Sequence, residues 1–235
     1  MNEDPKPGTL YLVSTPIGNL GDITFRAVKT LRQADLVAAE DTRHTGTLLK
    51  QFDISNTVVS YHDHNKEQKG PGLVKKLLAG DDIALVSDAG TPGISDPAFY
   101  LVRMAVEQGI PVSSVPGPSA AISALIVSGL PTDRFVFEGF LPVKKRRNRR
   151  LAALAQETRT IILYESPYRL LKTLQQIREI AGNRNIAVCR ELTKKFEEVV
   201  RGTIDDAITY FSSVRIRGEF VLIIEGRSLK NDKTV

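Results

Sequence analysis

The sequence predicts an α/β protein in two parts: a first half built on a mostly parallel sheet, and a second half that is a mixed α/β unit. Two observations carry this. From residue 9 to residue 128, short β-branched runs alternate with helical patterns. That β-then-α order implies parallel strands joined by crossover helices that cover both faces of the sheet. After Gly129-Leu130-Pro131-Thr132 the order breaks, and two strands follow each other too closely to hold a helix between them. They read as an antiparallel pair. The chain has 235 residues, 42% hydrophobic and 25% charged. These values exclude disorder, collagen and coiled coil as the main class.

The elements follow in order. Residues 9–14 (TLYLVS) read as a strand and 22–34 as an amphipathic helix. Residues 36–39 (LVAA) are a strand and 42–52 a helix; 57–61 (TVVSY) are a strand, with a helix across 73–78. Residues 83–87 (IALVS) are a strand, 97–108 a helix, 112–115 a strand and 119–128 a helix of small residues. In the second half, 134–137 read as a strand, 151–156 as a helix, 160–164 (TIILY) as a strand and 167–180 as a helix. Strands at 186–192 and 197–202 form the antiparallel pair, followed by a helix at 204–212 and a last strand at 218–225. The change of pattern puts the domain boundary near residue 130, giving domains 1–130 and 131–235, with no Pro- or Ser-rich linker between them. Residues 227–235 read as a frayed polar tail.

No apolar run approaches the roughly 18 residues needed to span a bilayer. The opening heptapeptide MNEDPKP is polar and acidic, unlike a signal peptide. The single cysteine, Cys189, excludes an internal disulfide and a cysteine-based zinc site. A reduced, cytoplasmic setting without membrane contact is expected. Thirty-two Lys and Arg against 27 Asp and Glu leave a net charge of +5, and the excess is local. Lys144, Lys145, Arg146, Arg147, Arg149 and Arg150 put six cations into seven residues, and without them the remainder carries −1. Such a patch, read as a loop over 144–150, suits a polyanion such as nucleic acid; the alternative is a solvated surface loop.

Chemistry is expected just after the strands of the first half, since ligands of parallel α/β sheets bind outside the strands' carboxyl ends. Four loops qualify: 14–22 (STPIGNLGD), 40–44 (EDTRH), 87–97 (SDAGTPGISDP) and 116–121 (PGPSAA). The third packs two glycines, two prolines and two aspartates into ten residues. Glycine lets a ligand approach the backbone and proline stiffens the loop, while Asp96 reads as the cap of the next helix. The fourth opens a helix whose free N–H groups suit a carboxylate or phosphate, or it is simple tight packing.

Familiar nucleotide and nucleophile signatures are absent: no Gly-x-Gly-x-x-Gly after the first strand, no Walker lysine and no Gly-x-Ser-x-Gly. His62-x-His64 lacks further ligands at metal-site spacing and reads as a polar loop. Cys189, mid-strand, reads as packing. Tyr164-Glu165-Ser166-Pro167-Tyr168-Arg169 suits stacking on a base or sugar, and equally a helix start with Ser166 as N-cap and Pro167 at the first position. Residues 190–198 (RELTKKFEE) join the antiparallel pair, as a charged hairpin loop or as something more.

The segments LYLVSTPIGNLGDIT, AEDTRHTGTLL, LVSDAGTPGISDPA, VPGPSAAISALIVSGLP, ILYESPYRL, CRELTKKFEE and GEFVLIIEG closely resemble the ribosomal RNA small subunit methyltransferase I family. That family falls in the tetrapyrrole-methylase-like class of S-adenosylmethionine-dependent methyltransferases. The resemblance runs from about Gly8 to Gly226; one departure is Ala98, where glycine is expected. It implies a two-domain tetrapyrrole-methylase-like fold with the donor cleft between the domains, and a homodimer. It implies 2′-O-methylation of a cytidine ribose in the decoding region of 16S ribosomal RNA in the small subunit, with S-adenosylmethionine as donor and no metal. The donor-binding positions that carry over are Pro16, Asp88, Gly90, Ser119 and Ala120, with Leu163 and the Gly218-Glu219-Phe220 strand entry from the second half. Arg43, the six cations of 144–150, Tyr168 and Arg169 make up the expected RNA-binding set.

Read alone, the residues are compatible with this. The donor's amino-acid tail needs backbone N–H groups and an acid, and transfer to a 2′-oxygen is chiefly a matter of in-line positioning. A base for the hydroxyl proton helps, and Glu40, Asp41, Asp88 and Glu165 are the carboxylates placed to serve. Two rival readings remain: a tetrapyrrole C-methyltransferase, whose first loop is expected to read Gly-x-Gly-Pro-Gly-Asp, and a non-catalytic RNA-binding module.

Overall fold

A computed structural model describes residues 6–228. They form two compact units, the first ending at Ser119 and the second beginning at Ala120. The expectations for residues 1–5 of the opening heptapeptide and for the tail beyond 228 lie outside the described residues.

The first unit runs β1 (Leu10–Val13), α1 (Phe25–Gln33), β2 (Leu36–Ala39), α2 (Thr42–Gln51), β3 (Val58–Ser60), α3 (Lys66–Leu78), β4 (Ile83–Val86), α4 (Ala98–Glu107) and β5 (Val112–Val115). The five strands are all parallel, in the order β3-β2-β4-β1-β5. Every residue of β2 and β4 is buried, as expected of strands covered on both faces. Alternation sorts their side chains. Ile83 and Leu85 join Leu73, Leu77, Leu101 and Ala105 under α3 and α4. Ala84 and Val86 join Ala27, Leu31 and Leu49 under α1 and α2. The helix expected over 73–78 begins earlier, at Lys66, and runs through Pro71. Gly70 explains it: a Cβ there would sit 3.2 Å from the Met104 sulfur and 3.3 Å from the Tyr100 ring. Close packing of α3 on α4 outweighs the local helix-breaking tendency of Gly70-Pro71-Gly72.

The second unit runs α5 (Ala120–Val127), β6 (Phe135–Phe140), α6 (Arg147–Ala155), β7 (Thr160–Glu165), α7 (Leu170–Ala181), β8 (Asn185–Arg190), β9 (Glu198–Thr203), α8 (Ile204–Ser213) and β10 (Phe220–Ile224). Its sheet order is β6-β7-β10-β8-β9; β6 and β7 are parallel and the other neighbours antiparallel. The mixed sheet and the β8–β9 pair are as the sequence predicts. Helix α5 packs on β7 and β10, so the division between units falls ahead of the change of pattern at 129–132. By local signal α5 looks like one more helix of the first half; its packing partners place it with the second. Two helix starts also differ from expectation. Helix α6 opens at Arg147, so only Lys144–Arg146 of the basic run is turn. Helix α7 opens at Leu170 after a turn over 166–169, so neither Ser166 nor Pro167 caps it. Helix α8 has a reciprocal capping box, the Thr203 hydroxyl accepting from the Asp206 N–H and the Asp206 carboxylate from the Thr203 N–H.

Phe211, 1% exposed, packs edge-on against Phe220 and Tyr210 at the centre of this core. Phe211→Ala is expected to cost about 3–5 kcal/mol, read as a lower midpoint in urea denaturation. A loss below 1 kcal/mol would mean the core collapses freely around the deleted ring.

Candidate functional site

The four loops singled out above follow β1, β2, β4 and β5, which are neighbours in the first sheet. Parallel strands put all four at one edge. From β1 the chain crosses to β2 on one side, and from β4 to β5 on the other, so β1 and β4 flank a topological switch point. Loop to loop, the edge is bolted by hydrogen bonds. Thr15 and Gly90 exchange backbone bonds of 2.9 and 3.0 Å. The Thr91 hydroxyl donates to the Pro118 carbonyl at 3.0 Å, so the buried Ser14 hydroxyl, 3.0 Å away, donates to Thr91. This relay ties the first, third and fourth loops together. Gly90 takes φ +78°, open to glycine without strain, and at Gly117 a Cβ would lie 3.0 Å from the Ser14 Cβ. Asp96 accepts from the Gly93 and Ala98 N–H groups, but the cap position of α4 is Pro97, so Asp96 stands one residue outside the capping place expected of it.

Pro16 is buried, Asp88 is exposed, Gly90 is buried and Ser119 is half-buried at the end of this unit. Ala120, also half-buried, opens α5. Leu163 and Glu219 belong to the second unit. Leu163 lies in β7 between β6 and β10 with its side chain in the core, leaving little but backbone to offer. Glu219 is exposed and paired with Lys194 at 2.7 Å, and its N–H is held by the Glu191 carboxylate at 2.9 Å. A Cβ at Gly218 would run into Glu191, so this strand entry requires glycine.

The candidate carboxylates have separate environments. Asp41 caps α2 through the N–H groups of Arg43 and His44 and forms a forked pair with the Arg43 side chain. The Arg43 side chain, then those N–H groups, hold its carboxyl well below the usual range. Asp88 accepts the Asp41 N–H at 2.9 Å, linking the second and third loops. Glu40 is half-buried; that burial, then the Asp88 charge, push its carboxyl above the ordinary value, against the pull of the Asp88 N–H. Glu165, in contrast, is 2% exposed and fully engaged. Its oxygens accept from the Ser166 N–H at 2.7 Å and the Thr173 hydroxyl at 2.6 Å, and pair with Arg169 at 2.8 Å. Burial and these three partners tie the carboxylate to the structure of the second unit.

The expected RNA-binding set also divides. Lys144, Lys145, Arg146 and Arg149 are exposed, and Tyr168 is 97% exposed. Arg150 pairs with Glu138. Arg147 departs from the expectation: it is 6% exposed and spends its guanidinium on Gln176, Pro142 and Thr173. Arg169 is likewise taken up by Glu165 and the Leu141 carbonyl. Neither presents a free fork to phosphate. Arg43 keeps an exposed side chain beside Asp41. Thr91 and Thr173, which organise these two regions, carried no signal of their own, because their partners lie 27 and 26 residues away.

Cys189 is buried, and desolvation pushes its thiol up to about 11, in keeping with packing. His62 is turned to the Asn65 amide, and among the described residues no group of three or more His, Cys, Asp or Glu is placed to hold a metal ion. No helix among them is long and apolar enough to cross a membrane.

An all-parallel sheet with elaborated loops at its carboxyl edge, followed by a mixed five-stranded unit, makes this a two-unit α/β protein of the ligand-binding kind. The family model "Tetrapyrrole (Corrin/Porphyrin) Methylases" matches residues 9–208, and the chain belongs to that family. Two curated relatives are both named ribosomal RNA small subunit methyltransferase I. The one from Synechocystis is 58% identical over 221 residues, covering 93% of this chain and 79% of that protein. The one from Halalkalibacterium halodurans is 54% identical over 224 residues, covering 95% and 78%. Among solved structures, uroporphyrin-III C-methyltransferase from Thermus thermophilus, complexed with S-adenosyl homocysteine, superposes with a TM-score of 0.63 at 19% identity. That match covers 93% of this chain and 97% of that one, and it speaks for the fold.

Glu40 makes the pH dependence of this edge testable. A carboxyl raised in the folded state contributes stability below its unfolded value, 4.5, and loses it as pH rises through the raised folded value. Glu40→Gln removes the ionisation, so the variant is expected to gain on the parent chain at pH 7 and to match it at pH 4. Denaturation at both pH values reads this; an equal gain at each would mean Glu40 is not raised.

Proposed function

We propose that this chain is an S-adenosylmethionine-dependent methyltransferase acting on ribosomal RNA, and that it 2′-O-methylates a cytidine ribose in the decoding region of the 16S RNA of the small ribosomal subunit. The observation that carries the reading is the bolted loop edge of the first sheet, in a chain whose relatives at 54% and 58% identity are named for the small-subunit RNA. The residues fit this donor. At Gly90 and Gly117 the backbone runs bare and close to its neighbours, and the exposed Asp88 offers an acid to an ammonium group. Pro16, Asp88, Gly90, Ser119 and Ala120 would hold S-adenosylmethionine, with the Leu163 backbone and Glu219 carried over from the resemblance. When bound, the donor supplies an electrophilic methyl group, so the transfer calls for neither a covalent enzyme intermediate nor a metal.

The protein's own part is to orient the ribose and to take its proton. Of the candidate bases, Asp41 is committed to Arg43 and α2, Glu165 to its buried partners, and Asp88 to the Asp41 N–H and, in this reading, the donor's ammonium group. Glu40 remains, with a carboxyl raised toward the range where a base works best at neutral pH. Phosphates are met by Lys144, Lys145, Arg146 and Arg149, at the positive first turn of α6, and Tyr168 offers a stacking face. Arg43 adds a further exposed cation. A homodimer working in the cytoplasm completes the reading; sedimentation at the 25.9 kDa monomer mass would remove the dimer.

Incubating 30S subunits with tritiated donor is expected to put counts in the RNA. Counts only in a porphyrinoid would favour a tetrapyrrole C-methyltransferase, and no counts a binding module. Asp88→Ala should weaken donor binding by about 1–3 kcal/mol in calorimetry, and unchanged affinity removes Asp88 from the donor site. Replacing Lys144, Lys145, Arg146 and Arg149 by Ser should flatten the log–log salt slope for single-stranded RNA by roughly 3, with donor affinity constant. A slope that does not change assigns these cations to solvent.

A further inference from the structure

The basic run lies between two groups of side chains with different tasks. Of its outward cations, Arg149 lies in the first turn of α6, and Lys144, Lys145 and Arg146 sit on a turn that has every reason to fray. Like charges crowd it, they face the positive end of α6, Arg146 takes φ +70° without being glycine, and it gives α6 no side-chain cap. Beneath that turn runs a continuous circuit of hydrogen bonds. The Arg147 guanidinium donates to the Pro142 carbonyl at 3.2 Å, to the Gln176 amide oxygen at 2.9 Å and to the Thr173 hydroxyl at 2.7 Å. That hydroxyl donates its own hydrogen bond to Glu165, which holds Arg169, which in turn donates to the Leu141 carbonyl at 3.1 Å. The circuit therefore grips the chain just before the basic turn, at Leu141 and Pro142. It crosses α7 at Thr173 and Gln176 and closes on both sides of the exposed Tyr168.

We propose that Arg147, Thr173, Glu165 and Arg169 are positioning residues. They clamp the β6–α6 turn to the β7–α7 loop, so that the four exposed cations and Tyr168 meet single-stranded RNA as one pre-ordered surface. The proposal rests on the RNA reading above and adds to it a division of labour within the basic run. Arginine is required at 147 because a planar fork reaches three acceptors on two segments at once, which a lysine ammonium does not. Holding the surface in place before RNA arrives spares the ordering cost at binding, so loss of the clamp falls on RNA affinity and not on the chemical step.

Thr173→Val breaks the circuit at its relay hydroxyl while keeping the side-chain shape, and Thr173→Ser keeps the hydroxyl. In the valine variant, amide exchange over 141–149 and over 165–169 is expected to quicken together by about tenfold. The KM for RNA should rise about fivefold or more while kcat and the donor Kd stay at the parent values. The serine variant should behave like the parent. Ile177→Val, a core change on the same helix, serves as the control for lost stability and should leave the KM unmoved. In a background with Lys144, Lys145, Arg146 and Arg149 replaced by Ser and Tyr168 by Ala, Thr173→Val should add no further rise. Loosening of one segment alone, a rise as large in the Ile177 control, or an undiminished effect in that background overturns the proposal. If the background substitutions themselves leave the KM at the parent value, the RNA reading of this face falls, and the presentation of the surface falls with it.

Discussion

A carboxylate withdrawn from water must be given back the hydrogen bonds it loses, or its charge becomes the most expensive thing in the neighbourhood. How each carboxylate of this chain meets that constraint divides structural acids from available ones. Among the carboxylates of the described residues Glu165 is the most buried, and a backbone N–H, a hydroxyl and a guanidinium supply its two oxygens. Asp41 and Asp96 satisfy themselves on the free N–H groups at helix starts. Glu40 is half out of water with Asp88 as its charged neighbour, and so it is the acid whose proton affinity rises. The same rule that makes Glu165 a keystone leaves Glu40 easier to protonate than an ordinary glutamate.

The first sheet turns this into a site by topology. Strands that all run one way leave all their carboxyl ends at one edge, and the crossovers from β1 and β4 part in opposite directions there. Loops in such a place are normally the least ordered parts of a domain. Here a backbone pair between Thr15 and Gly90 and a hydroxyl relay from Ser14 through Thr91 to Pro118 hold three of them to one another. Methyl transfer asks chiefly for fixed geometry, and this edge is stiffened by bonds that no individual loop could form alone.

In the second unit, one run of sequence serves two ends. Four cations stay in solvent, one pairs at the surface with Glu138, and one goes inward as the donor that a buried hydroxyl and two other acceptors require. Treating all six as equivalent overstates the charge available to a polyanion. Internal use of Arg147 gives the remaining cations a fixed base.

Most of the fold was legible in the sequence because its signals are local. The apolar runs LVAA and IALV, the regular return of helical periodicity, and the short spacing between β8 and β9 each report the element they belong to. Four loops that follow strands of a parallel sheet had to meet at one edge, since such a sheet has only one carboxyl edge. Three things were not legible. Helix α3 runs through Gly70-Pro71-Gly72 because Gly70 packs against Tyr100 and Met104 on another helix. Helix α5 belongs with the second sheet because that is the surface it covers. Arg147 turns inward while its neighbours turn out, because Thr173 and Gln176 wait 26 and 29 residues further on. Composition and spacing determined the class of fold and the edge that bears the loops. Only the tertiary structure decided which acids are tied to buried partners and which cations face solvent, because burial is a property of partners that the chain brings together from a distance.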